Sequence, residues 1–150
     1  MIKIICVGKI KESFFKDAIE EYKKRISKYT KIEIIELPDV SFDYKKTLKE
    51  EFNSIMKVFN RNDFNILLDI SGKEIDSVEF ADKINNTLSI NSNITFIIGG
   101  SYGVLDELRN LCNYRLSFSK MTFPHQLFRI ILLEQIYRAF KINNHEEYHK

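Results

Sequence analysis

The connection Ser117–Phe123, SFSKMTF, holds none of the usual turn-makers Gly, Asp or Asn. Phe118, Met121 and Phe123 instead set three apolar side chains where a solvent-facing loop would be polar, interleaved with the hydroxyls of Ser119 and Thr122. Apolar walls with a few hydrogen-bonding groups are how a protein lines a small-molecule site. A second candidate is FIIGGSYGV (96–104), whose Gly99, Gly100 and Gly103 permit positive φ and close approach of a ligand to the backbone. A third is the end of FNILLDI (64–70), where Leu68 and Asp69 precede the dipeptide Ser71-Gly72.

Several chemistries are disfavoured by the same residues. The first apolar run is followed by GKIKES, with no GxGxxG, and there is no P-loop. Asp106 and Glu107 open the segment after Gly103; acids there suit a helix dipole but repel a docked phosphate. The ligand expected is one without phosphates. His125, His145 and His149 have no ligand spacing with Cys6 or Cys112, so no metal site is expected. The two cysteines read as small buried hydrophobes.

These loops need a frame, and the segments alternate. Strands are expected over 2–8, 31–38, 64–70, 94–100 and 114–118, with helices over 12–29, 44–60, 77–89, 104–112 and 124–141. Five strand–helix units without hairpin signals imply an α/β fold, one mostly parallel sheet with helices on both faces, in a single domain spanning 1–150. Ligands then belong at the carboxyl ends of the strands, where all three candidate loops lie. The last helix, PHQLFRIILLEQIYRAFKI, is apolar nearly all round and must be buried nearly all round. Another subunit is the simplest second cover, so a homodimer is expected. Arg129 and Arg138 project from this helix and must find solvent, an acid such as Glu134, or phosphate.

With 44% hydrophobic and 29% charged residues the chain is of ordinary globular composition. No apolar run approaches the roughly 20 residues of a membrane span, and MIKIICVGK is too short for a signal peptide. A cytoplasmic protein without membrane contact is expected. The net charge of +2 is unevenly spread: residues 1–31 hold nine Lys and Arg against four acids, residues 32–112 eight against fourteen, and residues 113–150 six against three. Basic ends around an acidic middle suit a basic face toward a polyanion, or simply solvated helix faces.

Taken together, FIIGGSYGV, LSFSKMTFPHQLFRIILLEQIYRAF, the ending YHK and the opening VGKIKESFFKDAIEEYKKRI resemble the ribosomal-RNA large-subunit methyltransferase H family of SPOUT enzymes along the whole chain. The resemblance implies a trefoil knot at the C-terminal end, an exception to the rule against knots. It implies a homodimer that uses S-adenosyl-L-methionine to methylate N3 of a pseudouridine in large-subunit (23S) ribosomal RNA, on the assembled ribosome. Matched by motif, cofactor contacts fall on Leu68, Gly99 and Phe118, Ser119, Lys120, Met121, Thr122 and Phe123. His149 is the candidate proton acceptor and Tyr148 the group that positions the target base. Arg25, Arg129 and Lys150 are candidate RNA contacts. His125, at a helix start, is expected on backbone or against the partner subunit. Composition alone would leave NNHEEYHK as a frayed terminus. A non-catalytic ribosome- or RNA-binding protein on the same fold remains the alternative.

Overall fold

The computed structural model describes all 150 residues. Its elements are β1 (Ile2–Val7), α1 (Ser13–Ile26), β2 (Ile32–Leu37), α2 (Tyr44–Val58), β3 (Phe64–Glu74), α3 (Ser77–Ile90), β4 (Ile94–Ile98), α4 (Asp106–Leu111), β5 (Tyr114–Ser117) and α5 (His125–Asn143). Local chemistry sets several starts. Asp43 accepts from the Lys46 amide at 2.9 Å ahead of α2. Asp76 and Glu79 form a reciprocal capping box on α3.

The five strands form one parallel sheet in the order β2-β1-β4-β3-β5. β1 and β4 are apolar without alternation because both of their faces are covered. On one face Ile4, Phe96 and Ile66 meet Ile19 and Ile26 of α1, Phe80 and Ile84 of α3, and Leu132, Leu133 and Ile136 of α5. On the other, Ile5, Ile97 and Leu67 meet Ile55 of α2 and Leu108 of α4. The α/β architecture expected from the alternating segments is therefore present.

Two expectations are revised. β3 does not stop at Ile70 with a turn at Ser71-Gly72; it continues to Glu74, with an irregularity between Leu68 and Lys73 where it pairs with β5. Gly72 lies against the β5 backbone so closely that a Cβ there would sit 2.7 Å from the carbonyl carbon of Arg115. Much of α5 is covered by its own chain, because the helix lies between α1 and α3; Leu132, Leu133, Ile136 and Ala139 are fully buried there. No helix is long and apolar enough to cross a membrane.

Candidate functional site

The carboxyl ends of β3, β4 and β5 open into a cavity of about 270 Å³. Its walls come from all three loops picked out in the sequence: Leu68 and Asp69, the Gly99–Val104 turn, and 116–123, with His125 and Phe128 of α5 behind them. Of the expected cofactor contacts, Leu68, Gly99, Phe118, Ser119, Met121, Thr122 and Phe123 meet here; Lys120 is exposed and lies outside the lining.

The 117–123 loop keeps its shape without turn residues. The Ser117 hydroxyl donates to the Ser119 carbonyl at 3.0 Å, and the Ser119 hydroxyl accepts from the Met121 amide at 2.9 Å. Phe118 and Phe123 both pack on Phe128, edge-on at 5.1 Å and stacked at 6.0 Å. The facing Gly turn closes when the Gly103 amide donates to the Gly100 carbonyl at 3.1 Å, with Gly103 at φ 78°. Tyr102 stays outside the cavity lining, half exposed, with its ring against Tyr44 at 5.2 Å.

The cavity edge carries a charge network that sequence reading did not assign. Asp69 accepts from the Ser71 amide at 3.1 Å, the Ser71 hydroxyl at 2.9 Å and Arg109 at 2.9 Å, with Arg115 at 3.7 Å. Burial alone would raise the Asp69 carboxyl, but the Ser71 amide and the Arg109 guanidinium outweigh it and hold the group below the usual range. A lowered folded pKa stabilises the fold fully above the aspartate value of about 3.9 and loses that contribution as pH falls through the folded value. Asp69→Asn is therefore expected to be less stable than wild type at neutral pH, the gap closing in acid; urea unfolding across pH checks it. The available signal was an acid placed straight after the apolar run Ile66–Leu68. His125 is the imidazole of the cavity, and burial, then the Arg129 charge, lowers its pKa, favouring the neutral ring.

A second group of candidates gathers further along α5. The tail folds back on the helix. Glu146 is bonded to Lys141 at 2.7 Å and to the Tyr29 hydroxyl at 2.9 Å, tying the tail to α5 and to the residues after α1. Tyr148 donates to Glu134 at 3.1 Å beside Arg138, which grips the same carboxylate oxygen at 2.6 Å. Nδ1 of His149 lies 3.1 Å from Arg138. A guanidinium only donates, so Nδ1 accepts and a neutral His149 ring carries its proton on Nε2. Burial, then the Glu134 charge, pushes the Tyr148 hydroxyl up to about 12, so it keeps its proton at neutral pH. Arg25 lies over the rings of Tyr22 and Tyr137, and Tyr137 packs on Tyr148. The two basic ends of the sequence thus meet on one surface around Arg25, Arg138, Lys141 and the tail.

Arg129 is a correction. It is 1% exposed, donating to Glu36 at 2.6 Å and to the Gly8 carbonyl at 3.1 Å, so the expected RNA contact is a buried structural ion pair. Arg138 meets Glu134, one of the partners expected for it. Cys6 is buried and Cys112 half-buried, and burial pushes both thiols up to about 12.

Residues 1–149 match a family described as "Predicted SPOUT methyltransferase". A Clostridium botulinum protein named ribosomal RNA large subunit methyltransferase H is 55% identical, covering 99% of both chains. A Methanococcus maripaludis protein named putative ribosomal RNA large subunit methyltransferase H is 51% identical with the same coverage. The solved structure of a probable methylase family protein from Haemophilus influenzae superposes with a TM-score of 0.57 at 15% identity, covering 99% of this chain and 70% of that one, a likeness of fold.

Proposed function

Because the chain belongs to the SPOUT methyltransferase family, we propose that it methylates large-subunit (23S) ribosomal RNA, at N3 of a pseudouridine on the assembled ribosome. The donor is S-adenosyl-L-methionine, and the protein works as a cytoplasmic, single-domain, knotted homodimer. The carrying observation is the cavity at the strand ends, walled by Phe118 and Phe123 and floored by the Gly99 turn, together with relatives that bear the rRNA methyltransferase name.

The residues present fit the donor. Apolar Leu68, Phe118, Met121 and Phe123 suit an adenine, and aromatic faces attract a sulfonium cation. The Gly99–Gly100 backbone and the Thr122 hydroxyl offer hydrogen bonds, and no phosphate cradle is needed. Asp69, the acid of the lining, is already engaged by Arg109. S-adenosyl-L-methionine, when bound, would supply a methyl group whose carbon the sulfonium activates for in-line displacement, the thioether S-adenosylhomocysteine being the leaving group. The chain's own work is then alignment and exclusion of water. His149 and Tyr148 are proposed to act at the target base, with Arg25 and Lys150 on the RNA backbone.

The position of the tail supports a homodimer. Phe128 lines the cavity while Arg138 holds His149, and at about 1.5 Å of rise per residue these lie about 15 Å apart along α5. Antiparallel pairing of two α5 helices would bring one protomer's tail toward its partner's cavity. Exposed Met121 and Leu127 at the cavity end of the helix are the apolar surface left for such a contact.

Calorimetric titration with S-adenosylhomocysteine, with NAD and ATP as controls, tests the donor; methylation of ribosomes tests the acceptor. Binding of S-adenosylhomocysteine alone is expected, and tight NAD or ATP binding instead would sink the assignment. Cofactor binding without any methylation of ribosomes would favour the non-catalytic reading. Mixing a cavity variant, Gly99→Val, with a tail variant, His149→Ala, is expected to recover one working site per mixed dimer. No recovery would place tail and cavity of the same chain together.

A further inference from the structure

Beneath the Gly turn lies a carboxylate that neither the cavity lining nor the tail accounts for. Glu51 of α2 is 6% exposed, and its Oε2 is buried without any hydrogen-bond partner. Buried unpaired carboxylate oxygens are costly, so their retention needs a reason. Around Glu51, Leu48, Phe52 and Ile55 of α2 pack with Val104, Leu105 and Leu108 beyond the turn. No cation sits beside it: the nearby charge that acts on it is Asp39, and together with burial it raises the carboxyl above its usual value. The Gly100 amide opposes this by favouring the charged form. A Cβ at position 100 would meet both carboxylate oxygens, 2.6 Å from Oε1. Gly100 lines the cavity on one side and rests on Glu51 on the other.

We infer that Glu51 is a positioning residue for the donor site: its buried carboxylate underlies Gly100 and holds the Gly99–Gly103 turn in the shape that forms one wall of the cavity. Glu51 does not touch the ligand. It acts through the turn, whose own closure is the single Gly100–Gly103 bond. This rests on the reading of the cavity as the methyl-donor site. An apolar residue would satisfy the packing of α2 equally well, but it would bring no carboxylate into the space that the missing Cβ of Gly100 leaves open.

The test compares wild type with Glu51→Gln, Glu51→Asp and Glu51→Ala, reading S-adenosylhomocysteine affinity by calorimetry, KM and kcat on ribosomes, and hydrogen exchange of the Gly100 amide by NMR. Glu51→Ala is expected to bind S-adenosylhomocysteine about tenfold more weakly, because the turn loses the carboxylate packed beneath Gly100, with faster Gly100 exchange. KM for the donor should rise with it while kcat stays near wild type. Gln, which keeps the shape and reach of the side chain, should restore most of the affinity. Asp, one methylene shorter, should not, and it decides the matter if Ala fails to fold. Wild-type affinity and exchange in Glu51→Ala, or in Glu51→Asp if Ala does not fold, overturn the proposal. If wild type itself ignores S-adenosylhomocysteine, the donor-site reading falls, and the role of Glu51 in the donor site falls with it. Gly100 exchange in the variants then reports only whether the carboxylate holds the turn.

Discussion

Glu36→Ala is expected to lower the unfolding free energy by about 3–5 kcal/mol, while Arg129→Met costs distinctly less. The asymmetry comes from which charge is left behind. Arg129 is 1% exposed and reaches Glu36 at 2.6 Å from its Nη1, whereas the Glu36 side chain is 36% exposed. Removing Glu36 leaves a buried guanidinium with only the Gly8 carbonyl at 3.1 Å, and also frees the Ile10 amide that donates to Glu36 at 2.9 Å. Removing Arg129 leaves a carboxylate that water can reach. Urea denaturation of both variants and the double variant measures the pair, and equal costs would mean that Arg129 is not dependent on Glu36. The same variants separate structure from recognition. Arg129→Met should leave the salt dependence of ribosome binding unchanged, while Arg25→Ala should flatten it by about one counterion. A flattened slope for Arg129→Met would mean that the pair opens when RNA binds.

That contrast shows where sequence reading reached its limit. A lone Arg in an apolar helix has three outlets, and sequence periodicity ranks none of them. Glu36 is its partner only because β1 and β2 pair in register and α5 crosses above their carboxyl ends, which is long-range geometry. The sheet itself was legible because the apolar runs are short, β-branched and unalternating, and the helices carry spaced apolar faces. The cavity was legible for a related reason: greasy residues in SFSKMTF and the glycines of GGSYG break the composition expected of loops. Asp69 and Glu51 were not, since an acid after a strand or within a helix is ordinary until its burial is known. The tail was misjudged by composition alone. Its polar residues are spent on Glu134, Arg138, Lys141 and Tyr29, contacts spanning up to 117 positions along the chain.

Gly72→Ala should be the more damaging of two glycine replacements, at about 3 kcal/mol, as expected for overpacking against a rigid neighbour. The new Cβ would lie 2.7 Å from both the carbonyl carbon and oxygen of Arg115 and 2.9 Å from the Leu116 nitrogen. These are backbone atoms of β5, so no rotamer change relieves the contact; the strands must separate. β5 runs directly into the 117–123 loop, so the separation should reach the cavity and weaken S-adenosylhomocysteine binding along with stability. Gly8→Ala provides the contrast. At φ 97° with nothing within 4 Å of its Cβ position, it meets only backbone strain, about 1–2 kcal/mol, and leaves the cavity loops untouched. Urea unfolding and calorimetry of both proteins distinguish the cases. A Gly72→Ala protein as stable as Gly8→Ala, with unchanged ligand affinity, would mean that β3 and β5 do not need their close approach, and that the extension of β3 past Ile70 has no part in shaping the site.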